Sequence, residues 1–63
     1  MLEQSNLVEE FSSLLDMERQ AQQAYSDMAA RVPQGPIRQQ LEQLIRDKQK
    51  HVKLIERLLE ILQ

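Results

Sequence analysis

Apolar residues recur along this chain at alternating steps of four and three, in two blocks separated by a single cluster of helix breakers. The first block runs Leu7, Phe11, Leu14, Glu18, Ala21, Tyr25, Met28 and Val32. The second runs Ile37, Leu41, Leu44, Lys48, His51, Ile55, Leu58 and Leu62. Such stepping is the seam of helices that pack with a left-handed supercoil. Between the blocks lies "VPQGPI", residues 32–37. Pro33 stops a preceding helix because the residue before proline is pushed out of the α region. Gly35 suits an unusual turn conformation, and Pro36 suits the first position of a new helix, where no N–H is needed. At the front end Ser5 and Asn6 are candidate N-caps, and capping by Asn6 would put Glu9 at the third helical position, as in a capping box. The pattern predicts one helix over about residues 6–32, a turn over 33–35 and a second helix over about 36–62. Each helix is then roughly 40 Å long at 1.5 Å per residue.

A connection this short makes the two helices antiparallel neighbours. Further apolar residues widen the stripe on both: Val8, Leu15, Met17, Ala24 and Ala29 on the first, and Ile45, Val52, Leu54, Leu59 and Ile61 on the second. One interface between two helices cannot cover a stripe that wide. The expected architecture is therefore all-α: an antiparallel helical hairpin that dimerises, with two-fold symmetry, into a four-helix bundle.

Composition agrees with helix and removes other classes. The chain has 63 residues, one glycine, two prolines and two aromatics, and is rich in Glu, Gln, Leu, Arg and Lys, which are strong helix formers. A single domain of this size has a marginal core without help. The absence of cysteine removes disulfides and thiolate metal sites. A net charge of -2 with a pI near 5.2 gives no basis for nucleic-acid binding. No apolar run approaches the roughly 20 residues that span a bilayer. The start "MLEQSNLVEEF" lacks the basic and apolar regions of a signal peptide, so a cytoplasmic protein is expected.

Three ionisable residues interrupt the seam: Glu18, Lys48 and His51. Counted outward from the turn, Glu18 and His51 fall at the same height, roughly 25 Å away, with Lys48 one turn closer and Tyr25 closer still. Together the four residues predict a polar layer in the core. Burying charge is costly without a partner or a metal, so the layer must contain its own partners. Lys48 either pairs with Glu18 or snorkels to solvent and fixes register. His51 is a hydrogen-bonded core or interface histidine, or a ligand. Asp47, four residues before His51, forms a zinc or nickel pair with it or is a solvated rim charge. Tyr25 fills core with a locally bonded hydroxyl, and Met17 and Met28 are packing residues.

The stretches "ERQAQQAY" and "DKQKHVKLIERLL" resemble the ferritin-like superfamily, particularly rubrerythrin- and bacterioferritin-type helical pairs and the two-helix encapsulated ferritins. In that family one helix supplies a Glu, often with a Tyr seven residues later, and the next supplies Glu-x-x-His; two such pairs hold a di-iron centre. The resemblance implies Glu18 as the carboxylate ligand and His51 as the imidazole ligand. Position 48 should be the bridging Glu and is Lys, a cation with no lone pair for a metal.

Two functions follow. In the first, the chain is a non-enzymatic ferritin-like module that has lost the di-iron site, has no cofactor, and acts through homodimerisation or an unidentified protein partner. In the second, Glu18 and His51 from two chains hold iron or zinc, since two Glu and two His suit a tetrahedral zinc ion. A plain helical hairpin explains the periodicity but leaves the shared height of Glu18 and His51 as coincidence. The sequence has no glycine-rich phosphate loop, no cysteine nucleophile and no Ser-His-Asp set with plausible geometry.

Overall fold

The computed structural model describes residues 4–63, with side chains from Asn6 onward. Two helices account for nearly all of it: α1, Gln4–Ala29, and α2, Pro36–Leu62. They pack side by side as an antiparallel hairpin, a rod of 50 × 15 × 14 Å. Glutamine, glutamate, leucine and arginine run through both helices, with lysine added on α2, and neither has an internal Gly or Pro, so propensity and pattern agree. Ser5 and Asn6 lie inside α1 rather than at its boundary, so the expected cap at Asn6 is not formed.

The connection is longer than the sequence pattern predicts. α1 stops at Ala29, three residues short of Val32, and residues 30–35 form the turn. The reason is steric. A proline ring collides with the carbonyl four residues earlier, and for Pro33 that carbonyl belongs to Ala29. The last turn tightens as it ends: Ala30 N–H still reaches Ser26 O at 3.1 Å, but Arg31 N–H bonds Met28 O at 3.0 Å, a three-residue spacing. Gly35 then takes φ 157° and ψ -170°, a region only glycine enters without strain. Its carbonyl accepts the first bond of α2, from Gln39 N–H at 3.0 Å, and Pro36 opens the helix behind it.

The interface between the helices corrects the predicted seam. Leu15, Ala29 and Ile55 are the buried apolar residues, whereas Leu14, Leu44, Leu58 and Ile37 are exposed. The covered residues, buried or half-buried, include Leu7, Val8, Phe11, Leu15, Glu18, Ala21, Gln22, Tyr25, Met28 and Ala29 on α1, and Leu41, Ile45, Lys48, Val52, Ile55, Leu59 and Leu62 on α2. α2 is thus rolled toward one flank of its stripe; α1 turns less, since its seam residues other than Leu14 stay covered. Residues predicted as flanking (Leu15, Ala29, Ile45, Val52, Leu59) turn inward, and seam residues Leu14, Leu44, His51 and Leu58 turn outward. A stripe broader than one interface has two flanks, and a single partner helix covers only one of them.

The uncovered flanks fall on the same side of the hairpin, its front. Leu14, Met17, Leu44, Leu54 and Leu58 are exposed there. Leu14, Glu18, His51, Leu54 and Ile55 line one open groove of about 240 Å³ between the helices. The opposite side, the back, is polar and carries Arg19, Glu56, Arg38 and Glu42. No helix among the described residues is long and apolar enough to cross a membrane.

Candidate functional site

Glu18 projects from the middle of α1 toward α2, and two side chains of α2, Lys48 and His51, converge on it. Lys48 Nζ donates to Glu18 Oε1 at 3.1 Å. His51 Nδ1 lies 2.9 Å from Glu18 Oε2. Lys48 and His51 are three residues apart on one helix, the spacing that stacks side chains on a common face, so one carboxylate reaches both. Both of its oxygens are engaged.

Exposure grades across the cluster. The side chains of Glu18 and Lys48 are 16% and 22% exposed, and that of His51 is 53% exposed. The Lys48 ammonium, followed by the His51 ring, holds the Glu18 carboxyl below its ordinary value of 4.5, against the partial burial that pushes it up. Glu18 is therefore ionised at neutral pH and can only accept hydrogen bonds. The proton shared with His51 must then sit on Nδ1. That fixes the tautomer when the ring is neutral and leaves Nε2 as the acceptor.

The polar layer expected from the sequence is thus assembled in part. Glu18, Lys48 and His51 form one cluster, and Lys48 takes the ion-pair role rather than snorkelling away. His51 stands on the shoulder of the interface and not within it, because α2 is rolled toward Val52 and Ile55. Tyr25 is half-buried on α1, two turns nearer the connection, and its hydroxyl joins none of the hydrogen bonds of the cluster. Asp47 accepts from Gln43 Nε2 at 2.9 Å, a rim contact along its own helix. Met17 is exposed on the front and is not a packing residue within one chain.

A cross-helix contact on the back escaped the sequence reading: Arg19 Nη2 donates to Glu56 Oε2 at 2.7 Å. Its signal was present as opposite charges at matching heights on neighbouring flanks. Such pairs are numerous in a chain this charged, so the signal had little power.

The donor set does not fit the di-metal centre that the resemblance implies. Such a centre needs a bridging carboxylate at position 48, where an ammonium instead occupies one oxygen of Glu18. Glu18 and His51 meet at hydrogen-bond distance, whereas two ligands of one tetrahedral zinc, each about 2.0–2.1 Å from it, stand roughly 3.3 Å apart. Among the described residues no group of three or more His, Asp or Glu side chains is placed to share an ion. The chain matches no protein-family model, no characterised protein and no solved structure. The likeness to ferritin-like pairs therefore rests on Glu18, Tyr25 and His51 alone.

Proposed function

We propose that this hairpin is a non-enzymatic association module that pairs with a second copy of itself through its front face to complete a four-helix bundle. In this reading Lys48 stands where ferritin-like pairs carry a metal-bridging glutamate, and it neutralises Glu18 from within the protein. The observation that carries the reading is the Lys48–Glu18 contact at 3.1 Å. It supplies internally the positive charge that a metal would otherwise bring to this carboxylate.

Surface area supports the dimer. The chain exposes 4961 Å² at 7.4 kDa, where a compact monomer of that mass exposes roughly 4200 Å². The excess is close to the roughly 800 Å² that each partner buries in a standard interface. The core agrees, since among the described residues no side chain is fully buried and only Leu15, Ala29 and Ile55 are buried apolar residues. A 63-residue chain with so small a core gains stability chiefly by covering its front.

The test is elemental analysis and sedimentation of the purified protein. A dimer without stoichiometric iron or zinc, inactive toward Fe(II) oxidation, is expected; one or two ions per dimer, or a stable folded monomer at micromolar concentration, overturns the proposal. The second reading, a metal held by Glu18 and His51 of two chains, is favoured by one observation: the cluster opens onto the front groove, so dimerisation would bring two Glu and two His together. Lys48→Glu separates the readings by restoring Glu-x-x-His. Under the first, the variant gains Fe(II) or Zn(II) binding that the parent protein lacks; under the second, the parent already binds.

A further inference from the structure

Two surface grooves border the front face, one on each helix, and they carry opposite charge. On α1 the groove is lined by Glu9, Glu10, Ser13, Leu14 and Met17. On α2 it is lined by Lys50, Lys53, Leu54 and Arg57. Each has an apolar floor, Leu14 with Met17 or Leu54, beneath ionised side chains of a single sign. This is the arrangement of a coiled-coil edge, where charged residues flank the apolar contact and select the partner.

The grooves also lie at the same level of the rod. Glu18 faces Lys48 and His51 and fixes the alignment of the two helices. From that level, Met17 and Lys50 are within two residues, Leu14 and Leu54 are a turn or so toward the open end, and Glu10 and Arg57 are about two turns toward it. Acidic and basic side chains therefore match in height, Glu9 and Glu10 with Arg57, and Leu14 with Leu54.

Two arrangements let a pair of hairpins cover their fronts with two-fold symmetry. With the axis along the rod, both connections lie at one end, and α1 of each copy runs beside α2 of the other with levels preserved. With the axis across the rod, the connections lie at opposite ends and α1 faces α1. Only the first brings the acidic groove onto the basic one, and symmetry makes the contact twice. We infer that the second copy docks with its connection at the same end, the Glu9–Glu10 groove of each α1 seated against the Lys50–Lys53–Arg57 groove of the other copy's α2. This inference rests on the dimer proposed above and names its geometry. The arrangement makes every neighbouring helix pair in the bundle antiparallel and sets the two Glu18 clusters face to face at one level.

The test places one spin label in the exposed connection as Gln34→Cys, the chain having no other cysteine. Docking at the same end puts the two labels within about 20 Å, two helix spacings, and gives strong dipolar broadening. Docking at opposite ends separates them by nearly the 50 Å length of the rod. A charge exchange gives an independent readout. The double variant Glu9→Lys/Glu10→Lys and the triple variant Lys50→Glu/Lys53→Glu/Arg57→Glu should each lose self-association by about tenfold or more. An equimolar mixture of the two should recover it as a heterodimer. Circular dichroism confirms that these exposed substitutions leave the helices intact. Labels close together, with recovery on mixing, sustain the inference. A dimer with distant labels, or variants that pair as tightly as the parent, overturns it while leaving the association module standing. A labelled protein that sediments as a monomer at all concentrations overturns both.

Discussion

On the back of the hairpin Arg19 and Glu56 meet at 2.7 Å with side chains 53% and 44% exposed. On the front edge Lys48 and Glu18 meet at the longer distance of 3.1 Å, with both side chains largely covered. The shorter contact is the weaker one in free energy. Water screens the back pair and both long side chains lose rotamer freedom to hold it, so exposed pairs of this kind contribute about 0–1 kcal/mol. The front pair lies where solvent is thin and a third group, His51, completes the carboxylate. Losing one member there strands another at the edge of the core. Distance ranks geometry; surroundings rank consequence.

The largest effect should come from breaking the front outright. Leu58→Asp puts a carboxylate on the uncovered apolar flank and should raise the dissociation constant of the proposed dimer at least about a hundredfold, roughly 3 kcal/mol of lost association. Sedimentation at micromolar concentration reads it, and an unchanged dimer would mean that the front is not the interface. Next, Glu18→Ala removes the acceptor shared by Lys48 and His51 and should cost about 1–2 kcal/mol in urea denaturation, since Lys48 recovers part of its hydration. A loss no larger than that of Arg19→Ala would erase the distinction between front and back.

A smaller effect separates the faces by pH. The folded Glu18 carboxyl titrates below 4.5, so as pH falls the unfolded chain takes up its proton first. The stabilisation is complete above the unfolded value and is lost as pH drops below about 4.5 toward the lowered folded value. Melting temperatures recorded between about pH 3 and 7 should fall less steeply for Glu18→Gln than for the parent. An equal slope would leave Glu18 without its special role. The smallest change is on the back: Arg19→Ala should alter stability by under about 0.5 kcal/mol and lose even that in high salt. Denaturation at two salt concentrations measures it.

Much of the fold was legible in the residues. "VPQGPI" placed the turn because proline and glycine act through local sterics that no tertiary contact is needed to reveal. Even there the end of α1 was misplaced, since the collision of Pro33 reaches back to Ala29 and not only to Val32. The Glu18–Lys48–His51 cluster was legible too, because a hairpin with a short connection fixes heights by counting. The position of His51 was not. Periodicity places it on the apolar stripe, but whether a stripe residue points inward or stands on the shoulder depends on how far the helix is rolled. Tyr25 was assigned to the cluster by height alone, and height does not make a contact.

The sequence by itself determined two helices, their antiparallel pairing, and an apolar stripe too broad for one interface. These depend on local dihedral preference and on the repeat of side-chain directions. Only the tertiary structure decided which flank of that stripe turns inward, and with it that Leu15, Val52 and Ile55 are covered while Leu14, His51 and Leu58 face outward. Helical rotation about its own axis leaves every local preference unchanged. It is settled by side-chain packing across the interface, which no single helix encodes.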